Sequence, residues 1–392
     1  VAFVEYVAGY YRRRLDAWEA LDPATADPAA LLAAAGEASA LRKFLADIAE
    51  EGYAGTVRRL EAATGARARL GRFLAAALPR LGPEGEAERF SLAPRGRLAG
   101  LPLPAAAGTG PAVELDEYLA GLEARAERPG DLGACFPDAG ARRAWEGRTA
   151  TILAELGGFL GWLAARLEAT GAVPVPVLRD TLLVHLGLGW LRRRGRPLRP
   201  CRPLAIGRAF ADRFGDGRDI HGTLGDLIYD VLLERDPCDL ATLRGEFARR
   251  ALAAPGVPAA FTRASRACLE ALGLDAPPLF VESGVQGTFP LWLLALGDGA
   301  GDLALYATLP WLGLTYAGRV YQPNYNYLRD VETLVAHDHL FTVAAVGDGR
   351  VRVAETRDER ARCLALHEIR AFRRLVEGGP ALSSSASASG ES

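Results

Sequence analysis

The sequence predicts an α/β protein: a Rossmann-like three-layer domain with a mainly parallel sheet, preceded by an all-helical N-terminal domain. Three observations carry this reading. Residues 1–172 place apolar side chains mostly at steps of three and four, with hardly any alternation of period two. After Gly171 short apolar runs begin to alternate with helical patterns, which is how βαβ units read. The stretch 279–288, Leu-Phe-Val-Glu-Ser-Gly-Val-Gln-Gly-Thr, reads as a strand, a tight glycine turn and the start of a helix. The expected division is therefore a helical domain over 1–172, an α/β domain over 173–378 and a disordered, Ser-rich tail over 379–392.

Taken in order, residues 4–18 have helical apolar spacing. Asp27-Pro28 is a helix start, with Asp as cap and Pro at the first position, and helical periodicity then runs over 31–63 to Gly65. Residues 70–81 predict a further helix, 82–112 a Pro-, Gly- and Ala-rich connection, and 113–127 and 142–170 two more helices. In the second part the pattern predicts strands at 173–178, 204–206, 279–281 and 303–308, and helices at 181–192, 224–233, 240–252, 261–272 and 291–296. Residues 351–354 and 359–376 close the domain.

Composition excludes more than it selects. The 392 residues suffice for two domains, and a formal charge of −2 gives no basic field for nucleic acid. Lys43 is the only lysine; the abundance of Arg, Ala, Gly, Leu and Pro reflects GC-rich coding, and the absence of methionine carries no functional signal. Cys135, Cys201, Cys238, Cys268 and Cys363 are scattered and odd in number, so neither a disulfide framework nor a structural zinc site is expected. Glu5 interrupts the apolar residues 1–11, and Arg12–Arg14 follow them instead of preceding them, which is not the order of a signal peptide. The later apolar stretches contain Glu155 and Glu282 and read as too short or too polar to span a bilayer. The expectation is a cytoplasmic protein with neither a membrane nor a nucleic acid as partner.

Three predicted strands each end in polar residues: Arg179-Asp180, Gly207-Arg208 and Glu282-Ser283. In a parallel sheet ligands sit at the carboxyl ends of the strands, so these residues are expected to converge. Arg179 and Arg208 can grip a phosphate or carboxylate through paired hydrogen bonds. Asp180 and Glu282 can hold Mg²⁺ against a phosphate, or one of them can transfer a proton; the plainer alternative pairs Asp180 with an arginine as a structural bridge. Gly284 and Gly287 let the backbone of the turn approach a ligand, with Ser283 and Gln286 beside them, and Thr288 is expected to cap the following helix, whose free N–H groups favour an anion.

Other groups carry less. His337-Asp338-His339 lacks a carboxylate cluster to complete a metal site, and His337 is expected to line the pocket. Tyr321, Tyr325 and Tyr327 read as packing residues, Asp212, Asp216, Asp219 and His221 as part of a glycine-broken loop over the pocket, and Arg192–Arg194 as a solvated helix end.

Arg179-Asp180, Gly207-Arg208 and the 282–288 turn resemble motifs of predicted hydrolases of the haloacid dehalogenase superfamily that occur alongside polysaccharide genes. Those proteins show a strand ending in Arg-Asp-Gly, a later strand ending in Ser-Arg, and an Asp-Ile-Gly-Trp-x-Gly-Thr turn. The resemblance covers about residues 173–375; 328–332 and 335–341 fall where the family has a Glu-containing helix and a Pro-His-Gly segment. It implies a phosphorylated sugar or nucleotide as ligand, Mg²⁺ at Asp180 and Glu282, hydrolysis or transfer at the same carboxylates, and a place in polysaccharide biosynthesis. The chain departs from the pattern at Glu282, Val285, Thr181 and Gly207, and Leu178 stands where the nucleophilic Asp belongs. No lysine follows Lys43 to neutralise a phosphoaspartate. A phosphoribosyltransferase-like enzyme is the competing resemblance, although Glu282-Ser283 supplies one acid where that loop carries two. An inactive ligand-binding protein, or a scaffold working through partners of the helical half, is the further alternative.

Overall fold

The computed structural model describes residues 2–49, 54–82, 109–178, 180–235, 238–283, 286–297, 300–321, 334–338 and 340–378. By internal contacts the chain forms two compact units, Val1–Pro102 with Tyr229–Asp236, and Leu103–Ile228 with Pro237–Ser392. The division thus falls near residue 102 rather than at 172, and the first unit takes a segment from far along the chain.

The first unit is helical among its described residues: α1 (Ala2–Ala20), α2 (Pro28–Ile48), α3 (Ala54–Thr64) and α4 (Ala66–Ala77), with a 3₁₀ turn at Leu78–Leu81. The Asp27 carboxylate accepts the Ala30 N–H at 3.0 Å and Pro28 opens α2, as the sequence predicts. Within the periodic run over 31–63 the described residues form the rest of α2 and most of α3. Gly65, at φ 61°, separates α3 from α4 in the left-handed conformation that glycine adopts without strain. Leu15, Leu31, Leu60 and Leu70 are buried, and Trp18 stacks on Phe73 with ring centroids 6.2 Å apart.

In the second unit, β1 (Thr109–Glu114) leads into α5 (Leu115–Ala126), and α6 (Ala139–Thr170) follows. Gly171, at φ 64°, ends α6 where the sequence pattern changes. By length and composition α6 is, among the described residues, a helix that could cross a membrane, contrary to the expectation from its acidic residue; half of its apolar window is buried in the protein. Next come β2 (Val173–Pro176), α7 (Leu182–Arg193), α8 (Arg208–Ala211), α9 (Ile220–Arg235, whose end belongs to the first unit), α10 (Leu240–Ala253) and α11 (Ala259–Ala271). β3 (Pro278–Glu282), α12 (Thr288–Leu296), β4 (Asp302–Leu305), α13 (Val335–Asp338), β5 (Phe341–Gly347), β6 (Arg350–Thr356) and α14 (Glu359–Gly378) complete it. The 379–392 tail and most of 82–112 lie outside the described residues.

Among the described residues the strands form two three-stranded sheets, so the expected single, mainly parallel sheet is only half of the observed strand content. β1, β6 and β5 pair antiparallel in that order, and β2, β3 and β4 pair parallel. β1 corrects the reading of 1–172 as wholly helical. Single parallel bridges at Val177–Leu204 and Leu305–Val320 extend the parallel sheet on either side. The expected strand at 204–206 is reduced to such a bridge. On the approach to it, Arg202 and Leu204 donate to the Pro174 and Pro176 carbonyls, both at 2.9 Å, and the prolines have no N–H to return. β2 is buried along its whole length and β3 along all but its first residue, as continuous apolar runs in a parallel sheet should be.

Candidate functional site at the carboxyl edge of the parallel sheet

From β2 the chain crosses to one side of the sheet, at Leu204, and then to the other, at β3. The carboxyl ends of β2 and β3 therefore flank the point where the order of crossing reverses, the crevice in which open parallel sheets take ligands. The end of β2 is pinned from both neighbours. The Val177 N–H donates to the Val281 carbonyl at 2.8 Å and the Leu178 N–H to the Leu204 carbonyl at 2.7 Å. The buried Thr181 hydroxyl turns back to the Val177 carbonyl at 2.8 Å, and half-buried Asp180 lies on this turn. The Ser283 hydroxyl, just past β3, donates to the Asp180 carbonyl at 3.1 Å and ties the two strand ends together.

Glu282 is the last residue of β3 and is buried. Burial, and then the charge of Asp180, push its carboxyl up to about 8, with the charge of Arg208 pulling the other way. At neutral pH Glu282 therefore holds a proton. Arg208 is exposed and begins α8. Its charge also bears on His221, in the first turn of α9, which burial above all lowers to about 4, with Asp219 opposing. His221 is thus a neutral imidazole, and its ring lies 5.4 Å from that of Phe289.

Gln286, past β3, is held from within its own segment and by Tyr316. The Tyr316 hydroxyl donates to the Gln286 carbonyl at 2.8 Å, and the Thr288 hydroxyl donates to Gln286 Oε1 at 3.3 Å. Gly287 has φ 64°, and an added Cβ would stand 3.3 Å from Leu305 Cδ1, so both conformation and space favour glycine. Thr288 is not the expected cap: Gly287 occupies that position, and Thr288 is the first residue inside α12. Pro290 contributes no N–H, so the first turn of α12 offers an anion fewer donors than the sequence suggested.

Asp180, Glu282, Ser283, Gln286, Gly287 and Thr288 thus come together at one edge, with the charge of Arg208 acting on it. Arg179 and Gly284 lie outside the described residues, and His337 lies on α13, its side chain likewise outside the description. Among the described residues no group of three or more His, Cys, Asp or Glu side chains is placed to hold a metal ion. Asp180 and a protonated Glu282 are a poor donor set for Mg²⁺, which takes ionised carboxylates within an octahedron of oxygens. Tyr316 is the residue that sequence reasoning missed. His221 was assigned to a loop over the pocket; it lies instead in the first turn of α9, and nothing in its neighbours along the chain signals the approach of Arg208 and Phe289.

No protein-family model, no curated protein and no solved structure matches the chain.

Proposed function

We propose that this edge binds a phosphorylated small molecule, a sugar phosphate or a nucleotide, in a Rossmann-like domain related to the haloacid dehalogenase superfamily. The observation that carries the reading is the burial of Glu282 at the end of β3, within reach of the charges of Asp180 and Arg208, which raises its carboxyl to about 8 and keeps it protonated at pH 7. Two ionised carboxylates would repel a phosphate. With Glu282 neutral and His221 neutral, the charges of Asp180 and Arg208 offset one another, and the Glu282 carboxyl becomes a hydrogen-bond donor to a phosphate oxygen. The reversal of strand order between β2 and β3 supports the Rossmann-like reading.

In this reading Glu282 is placed to give its proton to a leaving oxygen, and Asp180 to orient a water or acceptor hydroxyl for hydrolysis or transfer. A phosphoaspartate route is not part of the proposal, because buried Leu178 occupies the position a nucleophile would need. That same residue favours the second reading, a domain that binds the ligand without turning it over. Mg²⁺ enters only if its binding displaces the Glu282 proton.

The test is a thermal-shift and calorimetric screen of sugar phosphates and nucleotides at pH 7, each beside its dephosphorylated counterpart, with and without Mg²⁺, followed by phosphate-release assays on the binders. The expected result is stabilisation by a phosphorylated compound that its dephosphorylated form does not give. Equal stabilisation by both forms, or none by either, would refute the phosphate reading. Binding without phosphate release or transfer would select the binding-only alternative.

A further inference from the structure

The thiols of Cys135 and Cys363 converge on one backbone oxygen. Cys135 Sγ and Cys363 Sγ each donate to the Asp131 carbonyl at 3.8 Å, which makes the two thiols neighbours. No disulfide joins any of the five cysteines. Cys135 ends the short turn Gly133–Cys135 and is buried, whereas Cys363 on α14 is partly exposed.

The loop carrying Cys135 is clamped to one face of α14. Arg360 Nε donates to the Cys135 carbonyl at 2.9 Å, and His367 Nε2 is 3.2 Å from the Gly130 carbonyl. Arg360, Cys363 and His367 are spaced as neighbours along one helix face, so the thiol pair sits between two fixed anchors. Gly130, at φ 88°, lets the loop run close beneath the helix, where an added Cβ would stand 3.6 Å from Cys363 Sγ.

We propose that Cys135 and Cys363 form a reversible oxidation site, closed to a disulfide by a peroxide. The partly exposed Cys363, as thiolate, attacks a peroxide oxygen. This breaks the O–O bond, leaves a sulfenic acid on Cys363 and, with one proton, releases the first water. The Cys135 sulfur then attacks the sulfenic sulfur, the S–O bond breaks, and the hydroxyl leaves with the thiol proton as the second water. Two thiols are oxidised by two electrons and one hydrogen peroxide is reduced to two waters. Closure draws the two sulfurs from their shared carbonyl to an S–S length of about 2.05 Å. Burial, with Cys135 and the charge of Asp131 adding to it, pushes the Cys363 thiol up to about 12, so the reaction is slow at neutral pH and accelerates as pH rises.

The experiment treats the full chain with hydrogen peroxide at pH 7 and pH 9, alkylates the remaining thiols, and maps unreduced tryptic peptides by mass spectrometry. The expected product joins the Cys135 peptide to the Cys363 peptide, lighter by two hydrogens, with Cys201, Cys238 and Cys268 alkylated. It forms faster at pH 9, and dithiothreitol removes it. In Cys135→Ser, Cys363 should be trapped as sulfenic or sulfinic acid, and Cys363→Ser should leave Cys135 alkylatable. Sulfinic acid on Cys363 with Cys135 still free in the unaltered chain, a cross-link between other cysteines, or five alkylated thiols after treatment would each overturn the proposal.

Discussion

The Ser283 hydroxyl donates a hydrogen bond to the backbone carbonyl of Asp180, joining the carboxyl ends of two adjacent parallel strands at 3.1 Å. This contact holds the Asp180 turn beside Glu282, and the proximity of the two acids contributes to keeping Glu282 protonated.

Stability should fall as pH rises toward 8. The Glu282 carboxyl is raised from 4.5 to about 8, so across that window the folded chain keeps a proton that the unfolded chain releases, and folding weakens with rising pH. Glu368 acts in the same direction up to about 7. His185 and His221, lowered from 6.5 to about 4, act oppositely and are spent above pH 6.5. Between pH 7 and 8 the Glu282 contribution stands apart from these groups. Urea unfolding at pH 7 and pH 8.5 should show a loss in the parent that Glu282→Gln, neutral at both values, largely removes.

Arg208→Ala should weaken binding of the phosphorylated ligand by about 1.5 kcal/mol, the lower range for a charged hydrogen bond, because the guanidinium starts exposed. Asp180→Asn should abolish turnover while leaving affinity near that of the parent. Calorimetry and phosphate release separate the two effects. Full activity in Asp180→Asn would remove the carboxylate from the chemistry.

Glycine substitutions should divide by surroundings. An added Cβ at Gly187 in α7 would meet Leu160 Cδ2 at 2.7 Å and Phe372 Cε1 at 3.2 Å. Gly187→Ala should therefore destabilise by about 1–3 kcal/mol through overpacking. At Gly147 in α6 nothing lies within 4 Å, so Gly147→Ala should stabilise by about 0.5–1 kcal/mol. Thermal melts of the two variants should move in opposite directions.

Glu368 holds the start of α13. Its buried carboxyl accepts the Ala336 N–H at 2.8 Å and the Val335 N–H at 3.2 Å. Glu368→Ala should strand both donors, at about 1–3 kcal/mol each, and speed amide hydrogen exchange at these two residues. Glu368→Gln keeps one acceptor oxygen and should be milder. Unchanged exchange in Glu368→Ala would mean that the segment is held by its other contacts.

What could be read in advance was local. Asp27-Pro28, Gly65 and Gly171 mark helix boundaries through backbone chemistry that neighbouring residues determine, and each is found where it was expected. β2, β3 and β4 were legible as short apolar runs. β1 was not, because Thr109-Gly-Pro-Ala-Val-Glu has no apolar alternation and becomes a strand only by pairing with β6. The site divides in the same way. The acids at the strand ends could be placed from the pattern, but a buried, protonated Glu282 and a neutral His221 arise from groups distant in sequence. The Thr288 cap failed because the left-handed residue before it was the more local signal.

The first unit has a consequence for anyone who would cut the chain. Its contacts run through Tyr229–Asp236 as well as Val1–Pro102, and the Tyr229 ring meets Phe3 at 5.0 Å and Tyr6 at 5.9 Å. A graft that carried only the first 102 residues would leave those rings facing water and part of its own interior behind. This unit is therefore no detachable module: it can be transplanted only with the later helix end that completes it.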